Sequence, residues 1–459
     1  MKPETPTHEW NRRDFLKGSS LATAMMWMGG IPIRAGETSA DAEPEVDLMA
    51  SINLNCAVIG CGTWGREVLK TLGRLPAAHV LALCDGYEAS LRRCAASAPG
   101  AEKYTDHRQV LARPDLQAVI VSTPSHLHRE VVLDALAAGK HVYCEAPLAA
   151  SLEDARAIAQ AAKNAPRLNF QAGLQHRADP QRYHLVRFVR TGVMGRTLSV
   201  RSQSHKKRSW RLASADPLRE KDLNWRLDRS VSPGLLGELG VHLVDVANWF
   251  LMGHPVAVTG AGSVLFWNDG RDVPDTVQVV FEYVGGELFT CHCALTCSFD
   301  SEHELYHGTD STIMCRERRA WMFREVDSPL LGWEVYARKE TFYKESGVVL
   351  DANATKQKSL TQKAAEDPLA KDETPLHYAL KAFVRNSYSL QAGLEDFVAN
   401  YDASDTAALN ESLAKTRRLF VPAAGYKEGY EATVCVLKAN EAILQGRRIE
   451  FAKEWFELA

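Results

Sequence analysis

Cys56-Ala57-Val58-Ile59-Gly60-Cys61-Gly62-Thr63-Trp64-Gly65 joins a short apolar run to a G-x-G-x-x-G turn, and a helical pattern runs on from Gly65 to Leu75. A second apolar run, Val80 to Cys84, ends at Asp85, 20 residues beyond Gly65. Strand, glycine turn, helix, strand and acid in this order make a dinucleotide-binding unit. The glycines allow a tight turn and close approach of backbone to a pyrophosphate, which rests on the N-terminus of the helix. Gly60, Gly62, Thr63, Trp64 and Gly65 are therefore candidate cofactor contacts. A carboxylate at Asp85 accepts hydrogen bonds from ribose hydroxyls and repels a 2′-phosphate, so NAD is expected rather than NADP.

Working outward, Ala118 to Ser122 and His141 to Cys144 are further apolar runs, the second preceded by a helical stretch from Arg129 to Ala138. Alternating strands and helices imply a parallel, doubly wound α/β sheet, and unbroken apolar runs suit strands buried on both faces. After about residue 172 the pattern changes. Thr276 to Tyr283 and Glu287 to Cys293 read as antiparallel strands joined by Val284-Gly285-Gly286, and helical periodicity returns from Leu376, notably over Ala432 to Leu444. The polar stretch 351–374 reads as a surface excursion.

The 459 residues suggest about two or three domains, with 46% hydrophobic and 24% charged residues. Fifty-four basic residues against 57 acidic ones, a net charge of -3, argue against a duplex-binding protein, and the composition excludes a disordered or collagen-like chain. At the N-terminus, Arg12-Arg13-Asp14-Phe15-Leu16-Lys17 precedes a glycine-broken apolar stretch of about 15 residues, and Ala40-Asp41-Ala42 offers a cleavage site before Glu43. Residues 1–42 read as a Tat-type export signal, although Asn11 stands where Ser or Thr is commoner, and 43–52 as a linker. The stretch is shorter than the roughly 20 residues that span a bilayer, so a periplasmic protein with no membrane segment in its mature form is expected. Tat cargo is exported folded, which lets a cofactor be loaded first. The ten cysteines are expected to be mostly free thiols.

Three more motifs complete the pattern. They are Ser122-Thr123-Pro124-Ser125-His126-Leu127-His128, then Ala138-Gly139-Lys140-His141-Val142-Tyr143-Cys144-Glu145-Ala146-Pro147, and Gly234-Leu235-Leu236-Gly237-Glu238-Leu239-Gly240-Val241-His242-Leu243-Val244-Asp245. With the glycine turn they make the chain, from about 53 to 449, resemble the Gfo/Idh/MocA family of NAD(P)-dependent sugar and cyclitol oxidoreductases. The resemblance implies a Rossmann domain (53–172), a substrate and oligomerisation domain with a large open, mostly antiparallel sheet (173–350), and C-terminal helices (375–459) that pack back on the first domain. It also implies a homodimer or homotetramer formed through the open sheet. Thr123, Pro124, His126 and His128 would line the cofactor, Glu145 would reach the nicotinamide-side ribose, and Gln175, His176 and Arg177 would lie near nicotinamide and substrate. His242 matches the catalytic histidine. The chain departs from the family where Glu145-Ala146-Pro147 replaces Glu-Lys-Pro, losing the usual catalytic lysine, and where Glu238 replaces an Asp.

Oxidising a secondary alcohol needs a hydride acceptor, a base at the hydroxyl and donors for the developing carbonyl oxygen. His242, near neutrality before perturbation, is the expected base, with Glu238 on the same helix face at i, i+4 to orient or charge-balance it. Arg177, Lys206, Lys207 and Arg226 are candidate donors, and Trp225, Arg226 and Asp228 candidate substrate contacts in a loop. His303-Glu304-Leu305-Tyr306-His307 matches the zinc motif H-E-x-x-H. It reads as a strand, where i and i+4 lie about 13 Å apart. That is too far to share a zinc with bonds of about 2.0–2.1 Å to nitrogen, so no metal is expected. Two other functions fit the same fold: a redox-neutral glycoside-cleaving enzyme using tightly bound NAD, suggested by the missing lysine, and a non-catalytic NAD-bound sugar sensor or scaffold.

Overall fold

The computed structural model describes residues 52–458 except 317–318, 336, 343–344, 351–372 and 403. The stretch expected to be an export signal, all but the last residue of the expected linker and most of the stretch 351–374 expected to be a surface excursion lie outside the described residues.

β1 (Leu54–Ile59), β2 (Ala78–Cys84), β3 (Glu102–Tyr104), β4 (Ala118–Val121), β5 (His141–Cys144) and β6 (Phe170–Ala172) form one sheet in the order β3-β2-β1-β4-β5-β6. All its ladders are parallel. β4, β5 and β6 are buried at every residue, the consequence of helices on both faces. Those helices include α1 (Thr63–Leu72), α2 (Glu88–Cys94), α3 (His107–Leu111), α4 (His128–Ala137) and α5 (Leu152–Lys163). Strand order reverses on either side of β1, and such a switch opens a crevice at the C-terminal strand ends where ligands bind.

After α6 (Pro180–Val189), the chain enters a ten-stranded sheet. Its strands are β7 (Thr197–His205), β8 (Pro255–Ser263), β9 (Thr276–Tyr283), β10 (Leu288–Ala294), β11 (Glu302–Gly308), β12 (Ser311–Arg316), β13 (Arg319–Arg324), β14 (Lys339–Phe342), β15 (Glu345–Leu350) and β16 (Ile449–Glu450). Only β7 and β10 pair in parallel, so the sheet is mixed but mostly antiparallel. β9 and β10 form the hairpin read from the sequence. One face packs on α8 (Val241–Leu251), which follows the short helix α7 (Pro217–Leu223). Across the other face His292, Gln203, His303 and Arg316 sit in one cross-strand row, all half-exposed.

H-E-x-x-H lies within β11. Glu304 and Tyr306 face the core, while His303 and His307 face the other way and have separate partners, Asp300 and Thr312. The strand period thus separates the two imidazoles, as the spacing suggested.

The C-terminal helices are α9 (Pro375–Asn400), α10 (Thr406–Arg417) and α11 (Tyr426–Gln445). α9 returns to the first sheet, where Leu380 and Phe383 join Leu54, Val58 and Ile120 in one cluster and Phe383 meets Tyr143 edge to face at 5.7 Å. Phe383 is fully buried there. Phe383→Ala should cost about 3–5 kcal/mol of stability, read as a lower midpoint in denaturant titration followed by circular dichroism.

Candidate active site

The glycine turn is shaped by contacts that no other residue could make. Gly60 has φ of +100°, and a Cβ there would lie 2.5 Å from the Ser122 carbonyl carbon; a Cβ on Gly65 would lie 2.0 Å from Gly60 O. At Gly62 nothing stands within 4 Å of where a Cβ would be, which leaves open space at the start of α1. Asp85 is fixed beside this space: Oδ2 accepts from the Cys61 amide at 2.8 Å and Oδ1 from the Tyr87 amide at 2.8 Å. Backbone donors at a helix N-terminus and a held carboxylate fit the pyrophosphate and ribose of NAD.

Further along the strand ends, Glu145 is buried and its Oε1 has no partner. Burial pushes its carboxyl up to about 8, opposed by hydrogen bonds from Trp64 and the Ala146 amide. Thr123 Oγ1, His126 Nδ1, His176 Nδ1 and His242 Nδ1 are likewise buried without a partner. Buried polar atoms are normally satisfied. These follow β4, β5 and β6 or, for His242, touch the residue that follows β6, so they border the crevice where a ligand would satisfy them. Gln175 opens the turn after β6 and is half-buried, and Pro124 opens the turn after β4.

His128 departs from its expected place on the cofactor. Its ring is buried, Nε2 3.0 Å from Thr123 O and Nδ1 3.2 Å from the Pro147 and Leu148 carbonyls. It is a strut between two loops, with both nitrogens occupied.

Glu238 also departs from expectation. A π-helical turn, Leu236–Gly240, leads into α8, and the carboxylate turns to the first domain. Oε1 accepts from Ser125 Oγ at 2.8 Å and Oε2 from Arg226 Nε at 2.7 Å. The charged neighbours of His242 are His176 and Glu302 instead. Sharing a helix face did not pair them, because a serine and an arginine claim the Glu238 oxygens first.

Arg177 is no free donor. Its Nε lies 2.9 and 3.0 Å from the two Asp245 oxygens, and its guanidinium sits 5.3 Å from the centre of the Trp249 ring. Burial pushes the Asp245 carboxyl up, and Arg177 opposes that. Trp225 is 7% exposed and packs against His126 at 5.6 Å, so it covers a cofactor-loop residue rather than offering an open aromatic face. Arg226 stacks over it at 4.4 Å and is held by Glu238. Asp228 makes a local turn, accepting from the Ser230 amide at 2.9 Å and its hydroxyl at 2.6 Å. Lys207 Nζ lies 4.7 Å over the Phe266 ring, and Lys206 is exposed.

The residue that sequence reasoning missed is Glu302. His176 Nε2 lies 3.7 Å from Glu302 Oε1, and the His176 and His242 rings meet at 90° with centres 6.1 Å apart. Burial disfavours the charge of Glu302, but its close approach to His176, with the charges of Arg182 and His242, prevails and holds its carboxyl below the usual value. Burial, then His176, pushes His242 down to about 4, with Glu302 pulling the other way. No sequence signal joins Glu302 to a turn after β6.

Residues 54–173 match the oxidoreductase family with an NAD-binding Rossmann fold, and 184–314 match the Gfo/Idh/MocA C-terminal domain. Levoglucosan dehydrogenase of Pseudarthrobacter phenanthrenivorans is 32% identical over 299 residues, 58% of this chain and 74% of that protein. The chain belongs to the Gfo/Idh/MocA family of oxidoreductases. Its cofactor is NAD, as the glycine turn and Asp85 indicated. Inositol 2-dehydrogenase 2 of Saccharopolyspora erythraea is 30% identical over 239 residues, 52% of this chain and 65% of that protein. A solved levoglucosan dehydrogenase complex with NADH superposes with a TM-score of 0.64 at 18% identity, over 87% of this chain and 99% of that one, a likeness of fold.

Two outcomes follow from the buried charges. Glu145 binds its proton more tightly folded than unfolded, so the protein without cofactor should lose stability as pH rises from about 4.5 to about 8. Glu145→Gln should flatten that part of the slope, measured by denaturant titration at each pH. Arg177→Ala leaves Asp245 buried and unpaired and should cost about 3–5 kcal/mol by the same method.

Proposed function

We propose that the protein oxidises a secondary alcohol on a sugar, glycoside or cyclitol, with NAD as hydride acceptor. The observation that carries this reading is the set of unpartnered buried polar atoms on His176, His242, Glu145, Thr123 and His126 along one crevice. A polyhydroxylated ring beside a nicotinamide would satisfy them. The relatives are named for levoglucosan and inositol, both of that chemical class. When bound, NAD supplies the acceptor for hydrogen leaving the carbinol carbon with its bonding pair. The chain does the rest. The backbone at Gly62, the Asp85 carboxylate and the Glu145 carboxyl would hold the cofactor, Glu238 ties Arg226 to the Ser125 loop, and His176 and His242 would meet the reacting hydroxyl.

Ala146 favours a second reading, since it puts no titratable group where the family carries a lysine. In that reading NAD stays bound, is reduced and re-oxidised within one turnover, and a glycoside is cleaved with no net redox change. The twin arginine at Arg12-Arg13 supports export to the periplasm, and the half-exposed row on the open sheet face supports a homodimer or homotetramer built there.

Purified protein incubated with sugars, glycosides and cyclitols separates the readings. The dehydrogenase reading expects the near-ultraviolet absorbance of NADH to rise in step with product and to require added NAD. Released aglycone without accumulating NADH would replace it with the redox-neutral one.

A further inference from the structure

Glu302 lies near both cleft imidazoles but makes an ion-pair contact with only one of them, His176. Glu302 opens β11 immediately after Asp300 and Ser301, whose φ values of 59° and 23° lie in the left-handed region although neither is glycine. Backbone of that kind persists where its surroundings over-determine it, and it clusters at functional sites. Here His303 and Arg316 both grip the Asp300 carboxylate, His303 Nδ1 at 2.9 Å. The turn so held brings Glu302 Oε1 to 3.7 Å from His176 Nε2, while Nδ1 of the same ring is buried without a partner.

Building on the dehydrogenase reading above, we propose that His176, oriented by Glu302, accepts the proton of the substrate hydroxyl, and that His242 holds a hydrogen bond to the same oxygen. The O–H bond breaks and its proton passes to His176 Nδ1. The electron pair left on oxygen becomes the second bond of the carbonyl, as the hydrogen on carbon leaves with its pair for NAD. A carboxylate on the Nε2 side favours the tautomer with its proton there, which leaves the Nδ1 lone pair free, and it stabilises the imidazolium that forms. Burial and the neighbouring His176 disfavour the charged form of His242, and among the described residues no acid forms an ion pair with its ring as Glu302 does with His176. The other charges around the dyad are committed elsewhere, Arg177 to Asp245 and Arg182 to Glu304. Glu302 is thus a positioning residue, and His176 the catalytic one.

The test compares variants that still bind NADH, checked by fluorescence titration. His176→Asn should lower kcat about 100-fold or more. Glu302→Gln should lower kcat about 10–100-fold with KM unchanged, and Glu302→Asp should recover part of it. A His176→Asn enzyme within about twofold of wild type, beside a His242→Asn enzyme that is dead, would overturn the proposal. A second readout needs no turnover: nitrogen-15 shifts of the His176 ring in the NADH-bound protein. A proton on Nε2 supports the dyad, and a proton on Nδ1 refutes it. Wild-type protein that reduces no NAD with any compound would sink the dehydrogenase reading by itself, and the tautomer would still decide whether Glu302 sets the ring.

Discussion

Everything at the crevice depends on α11 having to satisfy two sheets at once. Thr433 on this helix accepts from the Leu148 amide at 3.0 Å, just beyond β5. Gly429 lies so close to β6 that a Cβ would sit 2.7 Å from the Ala172 Cβ. At the other end of the helix, Ile443 approaches Gly260 and Gly262 of β8 with equal intimacy. Close packing of this kind has few alternative arrangements, so the two sheets are fixed relative to each other. His176, which follows one sheet, can then meet Glu302, which opens a strand of the other.

Around that meeting point the protein spends charge on rigidity. Arg177–Asp245 and Arg182–Glu304 are buried pairs, the second also accepting from Tyr306 Oη at 2.5 Å. Buried pairs add little net stability, but breaking one strands a charge, so they hold their side chains to one geometry. Glu238 does the same across the domain boundary through Ser125 and Arg226. Beside these ion pairs the crevice keeps unpartnered polar atoms, among them Nδ1 of His126, His176 and His242, Thr123 Oγ1 and one oxygen of Glu145.

The glycine turn and Asp85 were legible because they lie within one βαβ unit, and the doubly wound sheet because the same local alternation of strand and helix repeats along the chain. The β9–β10 hairpin and the strand nature of the 303–307 run were legible for the same reason. Pairings of side chains were not. Glu238 and His242 share a helix face at the right spacing, yet the carboxylate bonds to Ser125 and Arg226. Arg177 was a plausible donor by type, but Asp245 one turn beyond His242 claims it. His128 and Trp225 carry polar or aromatic groups suited to a ligand, and burial turned both into packing elements.

By itself, then, the sequence determined the fold class, the NAD-binding loop and the family resemblance, since each is built from short motifs that can be read one at a time along the chain. Only the tertiary structure decided which acid serves which histidine. That choice turns on distances between segments far apart in the chain, and a side chain pairs with whichever partner folding brings within reach, not with the one its spacing suggests.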